Sequence, residues 1–182
     1  MIKQIPFVNL SKQWSEEKKY LLNIIDKTLQ SGSWVNGKEI PKLENKLSKI
    51  CGTKYTAALN SGTDALVLAM YSLGITRGDE VITTPNSFVA STAAIIHLGA
   101  IPIFVDVLSN QNIDPKLIED KISSKTKAIM AVHLTGRVCE MDKICRIAKK
   151  HKLYVIEDAA QSISSKYLNK KAGSWGDVAC FS

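Results

Sequence analysis

The chain has 182 residues, 45% of them hydrophobic. That suits one sizeable globular domain and excludes a disordered or fibrous chain. Its formal charge is +7, but the 21 lysines among 24 cations are spread along the whole length, so no nucleic-acid partner is expected, and the field favours an acidic small substrate. Four cysteines without a C-x-x-C pair and only three histidines suggest neither a metal cluster nor a disulfide framework.

Residues 1–50 read as an N-terminal helical extension. The opening MIKQIPFVNLSKQW lacks the apolar core of a secretory signal, so a cytoplasmic protein is expected. A polar helix is expected around Trp14 to Gln30, followed by the turn-rich SGSWVNGKEI. From residue 51 to residue 182 the pattern changes. Strand-like runs recur at KYTAALN from Lys54, EVITTPN from Glu80, IPIFVDV from Ile101, KAIMAVHL from Lys127 and YVIEDA from Tyr154. None approaches the roughly 20 apolar residues of a membrane span, so no membrane contact is expected.

Helical patterns lie between these runs. Leu66, Met70 and Leu73 share a helical spacing, and Phe88 to Leu98 is rich in alanine and small apolar residues. Asp114-Pro115 reads as an N-cap followed by a proline at the first helical position. Met141, Ile144, Ile147 and Ala148 form one stripe, with Glu140 and Asp142 at its start and Lys149, Lys150, His151 and Lys152 at its end, as the helix dipole prefers. Strands alternating with helices predict an α/β fold with a mostly parallel sheet covered on both faces. The chain stops at GDVACFS, a short apolar run without a returning helix, which suggests a fragment.

Open α/β sheets bind ligands outside the carboxyl ends of their strands. Three such turns stand out. Asn60-Ser61-Gly62-Thr63-Asp64 is a glycine turn opening a helix, which offers free backbone N–H groups to an anion or is simply an N-capped helix start. No Walker or Rossmann glycine motif accompanies it. Phe88 follows Thr84-Pro85-Asn86-Ser87 and is either a core residue or a ring that stacks on a planar cofactor. Glu157 and Asp158 end a strand, and because side chains alternate, only one of the two faces the site, with Gln161 close behind.

Taken in order, IPFVNLSKQW, ALNSGTDAL, GDEVITTPNSFVAS, GAIPIFVDV, VIEDAAQS and GSWGDVACFS resemble the DegT/DnrJ/EryC1/StrS sugar aminotransferases, which depend on pyridoxal 5′-phosphate (PLP). The resemblance runs nearly end to end. It implies the aspartate aminotransferase-like, type I fold, a three-layer α/β/α large domain with a mostly parallel mixed sheet. Residues 51–182 then correspond to part of that PLP-binding domain, truncated, with the C-terminal small domain absent.

The resemblance also implies roles. Gly62 and Thr63 match the groups that hold the cofactor phosphate, and Ser182 matches a serine that also bonds it. Phe88 matches the aromatic stacked on the pyridine ring, Asp158 the catalytic carboxylate that pairs with the ring nitrogen, and Gln161 the side chain near the phenolic oxygen. The family's Schiff-base lysine falls just beyond Ser182, so the chain is expected to be inactive as it stands. Many members read H-x-Y-G-Q where this chain has His133-Leu134-Thr135-Gly136-Arg137, and His133 is read as a strand-end residue near the site, with either a structural or a catalytic role.

The function implied is transfer of an amino group, with glutamate as donor, to a nucleotide-linked keto-sugar, in bacterial surface polysaccharide or antibiotic biosynthesis, by a homodimer. Two alternatives stay open: a PLP-dependent sugar dehydratase of the same family, with histidine in place of the lysine, and a regulatory protein that binds ligand on this fold without turnover.

Overall fold

The computed structural model describes residues 5–182, which form two compact units, residues 5–42 and Leu43–Ser182. In the first unit, α1 (Leu10–Gln30) starts where the Asn9 side chain accepts from the Lys12 amide at 3.0 Å. None of its side chains is buried, and Trp14, Ile25 and Leu29 stand exposed. The division between the units falls within α2 (Glu39–Cys51), a second helix that begins inside the stretch expected to be turns.

The segment 54–60 corrects an expectation. KYTAALN has a strand's alternation, and Thr56 and Ala58 are its half-buried inner residues, but it joins no sheet among the described residues. Its polar groups go to α2 instead: the Ala58 amide donates to Glu44 at 2.9 Å, and the Thr56 hydroxyl lies 2.9 Å from that of Ser48. Alternation specifies a buried face, not a ladder partner.

The remaining elements follow the expected order. They are α3 (Gly62–Ser72), β1 (Glu80–Thr83), α4 (Val89–His97), β2 (Ile101–Phe104), β3 (Thr126–Val132), α5 (Met141–His151) and β4 (Tyr154–Asp158). Then come β5 (Lys166–Tyr167), β6 (Lys170–Lys171) and β7 (Val178–Cys180). Asp114 does cap the turn at Pro115, accepting from the Lys116 amide at 2.9 Å, but the turn is a single 3₁₀ turn. Its two buried residues, Pro115 and Ile118, are three apart, which is the 3₁₀ period. The β5–β6 hairpin, absent from the sequence reading, turns on Leu168 and Asn169, both at positive φ as a two-residue hairpin loop requires.

Five strands form one parallel sheet in the order β2-β1-β3-β4-β7, with the antiparallel β5–β6 ribbon apart from it. Side-chain alternation divides the core into two layers. Val81, Ala128, Met130 and Ile156 pack with Leu66 and Met70 of α3 and with Ile95 of α4. On the other face, Ile82, Ile129 and Val155 pack with Met141, Ile144 and Ala148 of α5. Helices cover both faces, so the unit Leu43–Ser182 is a three-layer α/β/α fold whose strands all end at one edge.

Candidate active site

A cavity of about 370 Å³ opens at the carboxyl edge of that sheet. Gly62, Thr63, Phe88, Asp158, Gln161 and Ser182 all line it, although they come from four separate stretches of chain. The sequence reading named these six, and the fold brings all of them together. No lysine lines the cavity among the described residues.

One wall is the start of α3. Ser61 caps the helix, accepting from the Asp64 amide at 3.0 Å, which leaves the amides of Gly62 and Thr63 in the first turn, where no intrahelical acceptor exists. The chain following β7 runs against this turn. A Cβ on Gly62 would stand 2.7 Å from the Ser182 Cβ, so only glycine allows the serine hydroxyl to sit beside those amides. Backbone donors, a helix dipole and the hydroxyls of Thr63 and Ser182 give this end of the cavity groups that suit an anion.

Phe88 is not a core residue. It is 76% exposed and occupies the N-cap position of α4, so its ring stands at the cavity wall and not within a packed layer.

Asp158 and Glu157 sit on opposite faces of β4. The Asp158 carboxylate is buried, and Oδ2 accepts from the Ser91 hydroxyl at 2.7 Å while Oδ1 accepts from the Ala160 amide at 3.3 Å. Among the described residues no cationic side chain pairs with it. A buried carboxylate without a cation is costly, and this one lines a cavity. Burial raises the neighbouring Cys180 thiol to about 12, with the Asp158 charge adding to the effect, so Cys180 is no nucleophile here.

Glu157 is fully buried on the α5 side and has a full set of donors. The amides of Gly173, Trp175 and Gly176 donate to it at 2.7 to 2.8 Å, and His133 Nε2 lies 2.9 Å away. Burial pushes this carboxyl up, but the hydrogen bonds from His133, Gly176 and Gly173 outweigh it and hold Glu157 below the usual carboxylate range. His133 Nδ1 accepts from the Cys139 amide at 3.3 Å, so the ring's proton is placed on Nε2, toward Glu157. His133 is therefore a strand-end tie between β3, β4 and the 173–176 turn, although it borders the cavity.

Gln161 is oriented by a turn that the sequence does not advertise. Thr135 adopts φ 54° and ψ 24°, and its amide donates to Gln161 Oε1 at 2.7 Å. With the oxygen engaged, the amide nitrogen is the end left to donate. Arg137 is not part of the lining, and its carbonyl accepts from Asn112 Nδ2 at 2.9 Å. The residues missed from sequence are Ser87 and Ser91, whose hydroxyls lie 2.6 Å apart beside Asp158. Their signal was a pair of serines four apart at the start of an otherwise apolar helix.

A parallel sheet between two helical layers, with a glycine turn, an exposed ring and a buried carboxylate at its carboxyl edge, defines a three-layer α/β protein with a cavity where such folds bind ligands. Residues 15–182 match the DegT/DnrJ/EryC1/StrS aminotransferase family, and the chain belongs to it. It is 43% identical over 98% of its length to dTDP-3-amino-3,6-dideoxy-alpha-D-galactopyranose transaminase of Aneurinibacillus thermoaerophilus, and covers 49% of that protein. It is 38% identical, over 98% of its own length and 48% of the other, to a pleiotropic regulatory protein of Geobacillus stearothermophilus. Among solved structures, NtdA from Bacillus subtilis with bound cofactor PMP superposes with a TM-score of 0.89 at 37% identity, over 95% of this chain and 40% of that one. The chain thus spans about half the length of the curated relatives it matches, and its fold is that of the PLP-dependent aminotransferases.

Proposed function

We propose that this chain is the cofactor-binding part of a PLP-dependent aminotransferase that converts a nucleotide-linked keto-sugar to an amino-sugar with glutamate as donor. The observation that carries this reading is Asp158, a buried carboxylate that faces a cavity with no cationic side chain among the described residues to balance it. The donor set fits PLP from end to end. An anion turn suits its phosphate, an exposed ring its planar face, and an oriented amide nitrogen its phenolic oxygen.

PLP supplies an electron sink whose strength depends on a protonated ring nitrogen. Asp158 holds that proton in place by charge, in a site where little water screens it. The amides of Gly62 and Thr63, with the hydroxyls of Thr63 and Ser182, bind the phosphate; Phe88 fixes the plane of the ring by stacking; Gln161 donates from its amide nitrogen. Each contact orients the reacting carbon before the substrate arrives. The lysine that bonds the cofactor and moves the substrate proton belongs, on this reading, to the part of the relatives' length that this chain does not span.

Residues 51–182 are read as part of the large domain and residues 1–50 as its N-terminal extension, in a cytoplasmic homodimer serving surface polysaccharide or antibiotic sugar biosynthesis. Amino-sugar chemistry is supported by the name of the Aneurinibacillus relative, and the cofactor by the PMP held in NtdA. The regulatory relative supports a second reading, ligand binding without turnover. The longer protein, incubated with PLP, glutamate and a panel of keto-sugar nucleotides, is expected to form 2-oxoglutarate. Tight PLP binding with no 2-oxoglutarate for any sugar would favour the regulatory reading, and no PLP binding would reject the aminotransferase reading.

A further inference from the structure

The Ser87 and Ser91 hydroxyls form a chain that ends on Asp158, and its direction is fixed. An ionised carboxylate only accepts, so the single Ser91 proton, 2.7 Å from Asp158 Oδ2, is committed to it. The Ser91 oxygen must then accept from Ser87 at 2.6 Å, since it has no second proton to give. Ser91 is 1% exposed, whereas Ser87 borders the cavity. The chain therefore runs one way, from the cavity wall through the first turn of α4 to the carboxylate on β4.

Nothing in helix formation asks for this arrangement. A buried serine in a helix usually returns its proton to a carbonyl of the preceding turn. Ser91 instead reaches across the layer to a strand 67 residues away in sequence. With Ala160 on Oδ1, both carboxylate oxygens are held, which fixes the plane of the group while leaving acceptor capacity toward the cavity.

We propose that Ser91, backed by Ser87, is a positioning residue for Asp158: it fixes the carboxylate plane and favours the charged form, so that a ring cation in the cavity keeps its proton. The proposal rests on the reading of the cavity as a pyridine-cofactor site. A hydroxyl donated to a carboxylate favours its anion, and the anion competes poorly for a proton shared with a ring nitrogen. Without Ser91 the shared proton moves toward the carboxylate, and the charge-separated pair gives way to a neutral one.

The test uses the 182-residue chain and 4′-deoxypyridoxine 5′-phosphate labelled with ¹⁵N in the ring. That probe has no aldehyde, so neither a lysine nor turnover is needed. With wild-type chain the bound nitrogen is expected at the pyridinium shift. Ser91→Ala is expected to displace it toward neutral pyridine and to weaken binding about tenfold, the scale of one hydrogen bond to a charged group. Ser91→Thr, which keeps the hydroxyl, restores both readings, and Ser87→Ala at the cavity wall moves the nitrogen the same way by less.

A Ser91→Ala chain with the wild-type melting curve and an unmoved ¹⁵N shift overturns the proposal. So does an unmoved shift in Ser87→Ala should Ser91→Ala fail to fold. A wild-type nitrogen at the neutral position, or one that Asp158→Asn leaves unmoved, overturns the cofactor reading and the relay with it. Wild-type chain that does not bind the probe does the same.

Discussion

Glu157 and Asp158 are consecutive on β4, yet Glu157 is closed over by three backbone amides and His133 while Asp158 faces the cavity with one hydroxyl and one amide. Opposite faces of one strand give the two carboxylates different tasks. Glu157→Gln puts an NH₂ group where one oxygen now accepts, leaving buried donors facing each other. A loss of about 2–4 kcal/mol of stability is expected, the scale for breaking a buried charged hydrogen-bond set. Asp158→Asn keeps the shape of a group whose charge has no cationic partner among the described residues, and its urea midpoint is expected close to wild type. Equal destabilisation of the two variants would contradict this division.

Acid should act through Glu157. Its folded-state pKa lies below the ordinary 4.5, so the folded state binds the proton less readily than the unfolded chain does. The stability this supplies is complete above 4.5 and is lost as pH falls through the lower folded value. Tryptophan fluorescence should report loosening around Trp175 in that window, since its amide is one of the donors. In Glu157→Gln the low-pH part of the transition should flatten, and an unchanged acid profile would show that another group carries it.

Two glycines are held by close approach. A Cβ on Gly176 would stand 2.5 Å from the Val155 carbonyl oxygen, a rigid backbone atom of β4. Gly176→Ala is therefore expected to cost about 1–3 kcal/mol, as overpacking does. Gly62→Ala meets the Ser182 side chain at 2.7 Å and should displace it from the α3 amides, weakening phosphate binding more than stability. Isothermal titration with inorganic phosphate beside thermal melts separates the two. A Gly62→Ala chain with unaltered phosphate affinity would contradict the anion-site assignment.

The alternation of strands and helices was legible because each element buries one face, and apolar spacing records that face directly. Met141, Ile144 and Ala148 of α5 are the plainest case. The segment 54–60 shows the limit: its alternation is real, but which group its amides meet depends on Glu44 and Ser48 of α2, and no periodicity encodes that. Gly62, Thr63, Phe88, Asp158 and Gln161 were legible in turns that follow strand-like runs, although the first of those runs joins no sheet among the described residues, and Ser182 was legible only through the family resemblance. Ser91 was not, since its importance lies in reaching Asp158 across a layer, and the Thr135 backbone turn that sets Gln161 leaves no mark in side-chain identity.

No lysine lines the cavity among the described residues. The 182-residue chain, supplied with PLP, glutamate and a keto-sugar nucleotide, is expected to form 2-oxoglutarate no faster than PLP alone. A coupled 2-oxoglutarate assay reads this directly, and turnover above that background would mean that a lysine of this chain reaches the site.

On the proposed reading, Asp158 pairs with the ring cation of a cofactor bound in the cavity. Pyridoxamine 5′-phosphate tests this most directly, because it carries no aldehyde to react with the 21 lysines. Calorimetric titration should show one molecule bound per chain, with Asp158→Asn weakening the affinity about tenfold or more while melting like wild type. No binding to the wild-type chain, or equal affinity in Asp158→Asn, would contradict the account.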